Sequence, residues 1–555
     1  MSKLPKILLY FLGVVFVLNL FQSFFTELIF DESYYWYYAQ EMAWGYFDHP
    51  SMVALLIKIS SFFFDRELGV RFVSCILNIG TYFILWKLID HPKKQDYVRE
   101  FCVLVFSMTL LHAYGFFMLP DTPLLFFTAL FLLIYKQFLS SPGVLVSLAM
   151  GVVMAALMYS KYNAVLIIFF VLLSNIKLVF NKYAWLAVIV SLVCYTPHFL
   201  WLYENDFVSV KYHLFERPNR AYEFADFTLG YFANLLAIFG LTFPFVYWSL
   251  FKTKASNKFI KALLYLTYGV LIFFFISSFN RRVQTQWIIV ISIPMAILAF
   301  NFMLQNQTAK KWIYRLGIVN IIILLYLRIG LVHAPLFPIF YETHGNKQWV
   351  NDIQSKIGDM PVVFENSYRQ APMYAFYTGN KTFSLNNIMY RQNQFTIDSS
   401  EAKVQHQKVL YVSKYLKKGD FDYTTVSGTK YFGRYMDDFE SFRGLKCIID
   451  NENVSLTNDA ELTLKVYNPY DVDINLKKIK YGLVYLNDYK RVKETIAITP
   501  KLVDDNISAL KAKDTTYYRF KLITPKKIEN PGYFKISIAE NGLHYGLNGN
   551  NVELE

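Results

Sequence analysis

The stretch FDESYYWYYAQEMAWGYFDHPSM, residues 30–52, follows directly on an apolar run from Ile7 to Phe30. That run is long enough to span a bilayer, whose hydrocarbon core takes about 20 apolar residues in a helix. The character then changes within one residue. Asp31, Glu32, Glu41 and Asp48 stand among closely spaced tyrosines, tryptophans and phenylalanines, and His49 and Pro50 close the stretch. Tyr and Trp favour the membrane–water boundary, where the ring is apolar and its tip is wet. The pattern predicts a first membrane helix followed by a short amphipathic helix lying in the interface.

The rest of the chain agrees with a membrane class. Of its 555 residues, 55% are hydrophobic, 19% aromatic and only 17% charged, where a soluble domain averages about 25% charged. Mean hydropathy is +0.28. The net charge of +13 fits basic loops that orient helices against anionic headgroups. A nucleic-acid partner is excluded, because no basic stripe is interleaved with exposed rings. The N-terminus carries no small-residue cleavage site, so the first run reads as an uncleaved helix. The four cysteines, Cys75, Cys102, Cys194 and Cys447, lack metal or redox spacing and read as structural.

About eleven apolar segments are predicted to cross the membrane. They lie near 7–30, 66–89, 100–116, 122–139, 143–159, 162–180, 183–202, 227–251, 262–279, 286–305 and 312–332. Only SKYN divides the pair 143–159 and 162–180, which is therefore predicted to be short or re-entrant. Lys3 and Lys6, Lys93, Lys94 and Arg99, Lys177 and Lys182, Lys252 to Lys261, and Lys310 to Arg315 fall in alternate loops. The positive-inside rule assigns those loops to the cytoplasm. An odd helix count then places residues 334–555 outside. The expected division is a transmembrane catalytic domain over 1–333, a periplasmic α/β domain over 334–440 and a β-sandwich over 441–555. In the last, alternating runs such as ELTLKVY and TTYYRFKLI are separated by Asn, Asp, Pro and Gly.

The polar residues of the outer loops carry the chemistry. Asp31 and Glu32 end the first helix. They read either as an ordinary interfacial acid pair or as catalytic, with one a general base for an acceptor hydroxyl or amine. Asp121, between Pro120 and Pro123, reads as a helix cap or as a second acid converging on the first. Lys161 divides two short apolar segments and either snorkels or neutralises a phosphate. Asp48 and His49 form a polar turn, readable as a cap, a phosphate contact or part of a metal site. The loop ENDFVSVKYHLFERPNR contributes His213, Glu216, Arg217 and Arg220, and FNRRVQTQW contributes Arg281, Arg282 and Trp287. Arginine forks suit phosphate. A lipid-facing cavity with carboxylates and phosphate-grade cations suits a lipid-linked phosphate donor.

DESYYWYYAQEMAWGYFDHPSMVALLI closely resembles the first outer loop of multi-pass glycosyltransferases of the GT-C type. LPDTPLLFF, YSKYNAVL, the NDFVSVKYHLFERPNR loop, VQTQWIIVISIP and SYRQAPMYAFYTGNKTFSLNN follow in matching order. Over roughly the first 400 residues the chain is similar to the protein O-mannosyltransferase family in its broad bacterial sense, which includes the lipid A aminoarabinose transferase. The resemblance implies Asp31 as catalytic base, Asp121 as its assistant and Lys161 as the family's lysine in the turn between the fifth and sixth segments. It implies a polyprenyl-phosphate sugar donor and an inverting displacement at the outer face. That relative has an acid-Lys-Pro turn where this chain has Asp48-His49-Pro50. The resemblance thus implies Asp48 as a ligand of a divalent metal, zinc or magnesium/manganese, with His49, His213 or Glu216 beside it. Lys161, Arg217, Arg220, Arg281, Arg282 and Trp287 are expected at the donor phosphate. The expectation is an inner-membrane glycosyltransferase acting on lipid A, another surface glycan or a protein. A transporter or flippase of lipid-linked sugars and a non-catalytic assembly subunit are the other classes.

Overall fold

The computed structural model describes residues 4–425, 428–456 and 461–555, and Lys3 of the first basic loop lies outside them. The chain forms two compact units. One comprises Met1–Phe207 with Tyr222–Asn346, and the other Val208–Ala221 with Lys347–Glu555.

Among the described residues of the first unit, eight helices are long and apolar enough to cross a membrane. They are Lys6–Phe25, Arg66–Leu88, Asp121–Ser140, Lys182–Glu204, Ala225–Lys252, Lys258–Ser277, Thr285–Gln305 and Gln307–Val332. The remaining three expected spans are shorter. Val144–Ser160 and Ala164–Leu173 flank Lys161, and the segment expected over 100–116 breaks into Val98–Ser107 and Thr109–Ala113. The break falls at Met108, whose ψ of 107° leaves the helical region. Thr285–Gln305 is the most enclosed of the spans, while Lys6–Phe25 carries an exposed row of Leu9, Val14, Val17 and Phe21 that suits lipid contact.

Interrupted helices leave polar backbone that lipid cannot solvate. Here one buried asparagine serves two interruptions. Asn320 Nδ2 donates to Ser107 O at 2.6 Å, at the Met108 break. Its Oδ1 accepts from Leu241 N at 3.3 Å, beside Gly240, where Ala225–Lys252 changes course. Gly240 has φ of +55°, and a Cβ there would meet the Asn320 side chain at 2.5 Å. Only glycine fits both the backbone and the approach.

The second unit holds a five-stranded sheet in the order Thr382–Leu385, Val362–Glu365, Val409–Ser413, Lys430–Met436, Phe421–Thr424. Its first three strands are parallel, and Gln370–Thr378 is the crossover helix between the first two in sequence. The remainder is a β-sandwich. One sheet is built around Ile479–Leu486 and Tyr533–Glu540, the other around Leu462–Tyr467 and Thr515–Phe520. Inward residues alternate along these strands, and Leu464, Val466, Leu483, Phe534, Ile536 and Ile538 form the core between the sheets. A polar seam joins the α/β part to the sandwich. Glu401 accepts from Tyr470, Ser441 and the Arg443 amide, and Arg443 pairs with Glu540 at 3.4 Å.

Candidate functional site

The aromatic stretch folds as a helix, Phe30–Gln40, with Asp31 and Glu32 in its first turn, where carboxylates complement the helix dipole. Tyr34, Tyr35 and Tyr38 are buried within the protein rather than spread in the interface, and Trp36 and Tyr37 are half-buried. This corrects the expectation of a helix whose rings serve chiefly as membrane anchors. The rings face the Met52–Ser61 helix and the turn that leads to it, and that packing outweighs their interfacial preference.

Glu32 is fully enclosed. Its Oε1 accepts from Arg71 Nε at 2.7 Å and from Met118 N at 2.9 Å, and its Oε2 accepts from Arg71 Nη2 and from Ile29 N at 3.2 Å. Arg71, equally enclosed, also donates to Thr26 O at 2.6 Å and Glu27 O at 3.0 Å, the carbonyls left open where the first helix ends. Its guanidinium lies 5.2 Å from the Phe117 ring centroid. Both Glu32 oxygens are thus committed to holding the first helix, the Arg66–Leu88 helix and the 113–120 turn together. This geometry gives Glu32 a place in the scaffold beneath the candidate site.

Asp31, one residue earlier, is half-buried. Asp121 is buried at the start of Asp121–Ser140, and Lys161 Nζ donates to its two oxygens at 2.8 and 2.9 Å. Lys161 itself is buried at the end of Val144–Ser160. The charges of Asp121 and Asp31 both act on the Tyr114 hydroxyl, which lies on the turn that leads into Asp121–Ser140. Asp31 also acts on Tyr341, whose phenol is pushed up by burial first and then by Glu342, Glu32 and Asp31. Asp31 and the Asp121–Lys161 pair thus both bear on this turn. One carboxylate is neutralised by a lysine, while the other is the more accessible.

The 113–120 turn is held from a second side by residues that the sequence reading passed over. Arg328, buried in Gln307–Val332, donates to His112 Nε2 at 2.7 Å and to Asn19 Oδ1 at 2.6 Å, and lies 4.4 Å from the Phe116 centroid. Accepting at Nε2 requires His112 to carry its proton on Nδ1, which faces Phe106 O at 3.0 Å. The available signal was an arginine inside an apolar span, at 71 and again at 328.

The Asp48-His49-Pro50 turn is drawn in tightly. Asp48 accepts from Tyr34 at 2.9 Å and Tyr38 at 3.4 Å, and the His49 ring lies 5.5 Å from that of Tyr35. Burial, then the neighbouring Tyr34 and Asp48, hold the Tyr38 phenol well above its usual range. Gly45 seats this loop against Lys182–Glu204, since a Cβ there would lie 2.4 Å from Trp201 and 2.8 Å from His198. Among the described residues, no three or more His, Cys, Asp or Glu side chains come together so as to hold a metal. The expected set of Asp48, His49, His213 and Glu216 thus does not fit a metal site here. Asp48 is engaged by tyrosines. Glu216 acts on Lys535, which burial lowers to about 8 against the pull of that carboxylate. His213 packs against Tyr212, with ring centroids 5.4 Å apart.

The other expected phosphate contacts are dispersed. Arg281 and Arg282 follow the end of Lys258–Ser277, the first half-buried and the second exposed. Trp287 packs beside Phe274 at 6.0 Å and borders a small gap with Leu124, Leu166 and Val270, as an apolar filler. Arg217 and Arg220 belong to the segment Val208–Ala221 of the second unit.

Residues 48–201 match the sequence profile of the dolichyl-phosphate-mannose-protein mannosyltransferase family. No curated protein matches the chain. Among solved structures, ArnT from Cupriavidus metallidurans in the apo state is similar at a TM-score of 0.56 and 13% identity, over 77% of this chain and 97% of ArnT. ArnT from the same organism bound to undecaprenyl phosphate gives a TM-score of 0.55 and 14% identity, with the same coverage. The apo oligosaccharyltransferase of Archaeoglobus fulgidus gives 0.43 at 10% identity, over 99% of each chain. The likeness to ArnT is one of fold. Residues 48–201 thus match the profile of a glycosyltransferase family, and the chain as a whole shares a helical membrane fold with ArnT.

Proposed function

We propose that this chain is an inner-membrane glycosyltransferase that moves a sugar from a polyprenyl-phosphate carrier to a periplasmic acceptor on lipid A, another surface glycan or a protein. The observation that carries the reading is the buried Asp121–Lys161 pair inside the family-matching segment, with the charges of Asp121 and Asp31 both acting on Tyr114. The fold shared with ArnT, solved with undecaprenyl phosphate bound, supports the lipid carrier. The alternation of basic loops supports a site facing the periplasm and residues 334–555 outside the cytoplasm.

In this reading Asp31 is the general base. The acceptor oxygen attacks the anomeric carbon from the face opposite the phosphate, and its proton passes to Asp31. The bond from the anomeric carbon to the phosphate oxygen breaks, and its electron pair leaves on the polyprenyl phosphate. The configuration inverts. Lys161 keeps Asp121 charge-balanced beside the acceptor and stands ready to turn part of its charge to the leaving phosphate. No step is assigned to a metal.

The test is transfer from a labelled polyprenyl-phosphate sugar by the full chain in liposomes. Asp31→Asn is expected to lower transfer by about 100-fold or more, the scale of a lost general base. Full transfer by that variant would refute the assignment. Movement of the carrier across the bilayer without a glycosylated product would favour the flippase reading instead.

A further inference from the structure

We propose that a basic cavity within the second unit binds the phosphate of a phosphorylated sugar. The cavity measures about 540 Å³, and its lining includes Arg217, Arg391, Lys490, Arg491 and Lys493. No carboxylate is among the described lining residues. That volume suits one sugar with its phosphate, near the lower end of small-molecule sites.

The cations arrive from three separate stretches of chain, so no single basic run explains their meeting. Arg217 comes from the loop Val208–Ala221, Arg391 follows the strand Thr382–Leu385, and the other three come from the turn and strand joining Ile479–Leu486 to Val492–Ile498. The turn is specifically shaped. Asn487 N donates to Arg491 O at 3.0 Å, Lys490 N donates to Asn487 O at 2.8 Å, and Lys490 has φ of +58°. A non-glycine residue in that region is uncommon and here aims a lysine into the cavity wall. Two of the cations are pinned to the facing loop through neutral carbonyls. Lys490 donates to Phe215 O, and Arg491 Nε donates to Asn219 O at 2.7 Å. The bonds fix the geometry without cancelling the charge.

Five cations lining one cavity raise its affinity for an anion. Three of them are arginines, whose forked donors match phosphate oxygens better than lysine does. Tyr212 and Tyr390 line the same cavity and bring aromatic surface to it, which suits a sugar. The Arg391 guanidinium lies 4.4 Å from the Tyr368 centroid, which holds its plane in place. Binding stands on this geometry alone. Its role, seating a phosphate-bearing acceptor, rests on the glycosyltransferase reading above.

The experiment is calorimetric titration of the full chain in phosphatidylcholine nanodiscs with glucose 6-phosphate, glucose and inorganic phosphate. Glucose 6-phosphate is expected to bind saturably and more weakly as salt rises, with glucose silent. Lys493→Glu makes none of the pinning bonds described and is expected to weaken binding at least about tenfold, or 1.4 kcal/mol. A combined Arg391→Gln and Lys493→Gln variant checks the same loss without adding a negative charge. Absence of saturable glucose 6-phosphate binding, or unchanged binding in both variants, would overturn the proposal. Inorganic phosphate binding as tightly as glucose 6-phosphate would overturn the sugar component. Competition by phosphatidylglycerol nanodiscs alone would assign the cavity to a lipid headgroup and overturn it too. None of these outcomes bears on transfer in the Asp31→Asn assay, so the two readings fail separately.

Discussion

Removing Arg71 tests the scaffold beneath the candidate site. In Arg71→Gln the Glu32 carboxylate stays fully enclosed, and of its four donors only the amides of Ile29 and Met118 remain. Breaking a buried pair from one side costs about 3–5 kcal/mol, since the surviving charge has lost its partner. The Thr26 and Glu27 carbonyls also lose their donor. The lost hydrogen bonds add about 1 kcal/mol. The expected loss is about 4–6 kcal/mol, or at least a factor of about 10³ in the folded-to-unfolded ratio. Replacing both partners with apolar groups, Glu32→Met with Arg71→Leu, removes the buried charge along with its partner and is expected to be several kcal/mol more stable than the single variant. The assay is reversible unfolding in mixed micelles by rising SDS fraction, followed by tryptophan fluorescence and arranged as a double-mutant cycle. Amide exchange at Met118 gives a local readout, because that amide donates to Glu32. A single-variant cost below about 1 kcal/mol, or strictly additive effects, would refute the scaffold role.

Three further predictions concern charge. Lys161→Gln leaves the buried Asp121 carboxylate without the cation that contacts both its oxygens. Transfer is expected to fall at least about tenfold with little change in acceptor affinity, and an unchanged rate would remove the pair from the mechanism. In the second unit, burial raises Glu540 to about 7, with Arg443 and the Phe442 amide opposing it. Between about pH 4.5 and 7 the unfolded chain has released this proton and the folded chain has kept it. Stability should therefore decline by about 3 kcal/mol as pH rises through that window. Glu365 behaves in the opposite sense. Burial pushes it up, but hydrogen bonds from His544, Ser413 and Tyr411 bring it down to about 2, so its contribution is complete above about pH 4.5 and lost as pH falls toward 2. Amide exchange over Tyr533–Glu540, corrected for intrinsic pH dependence, measures the first effect. Glu540→Gln should flatten it, and a slope that survives the substitution would show that another group is responsible.

Much of this protein was legible as sequence because the relevant physics is local. A span is a length of apolar residues, orientation is a count of lysines in short loops, and a sandwich strand is a period of two. Those rules assigned the helical membrane class and the β-rich C-terminal region, and the ordered loop motifs carried the family. They overestimated the straightness of 100–116, since the break at Met108 is made tolerable by Asn320, more than two hundred residues away. They also read the aromatic stretch as an interfacial raft, when its tyrosines pack into protein and hold Asp48.

The distinction between Asp31 and Glu32 belonged to the tertiary structure alone. Adjacent residues on a helix point about 100° apart, so two neighbouring carboxylates with similar chemistry meet different surroundings. Glu32 turns to Arg71 and the Met118 amide and is fully enclosed, while Asp31 is half-buried and its charge acts on Tyr114 and Tyr341. The pairing of Asp121 with Lys161 and the meeting of Arg217 with Lys490 and Lys493 are of the same kind. By itself the sequence determined that this chain enters the membrane, with acids and cations in its loops. Which acid is buried, which cation is neutralised and which charges share a cavity were decided by contacts between residues far apart in the chain, which no local pattern encodes.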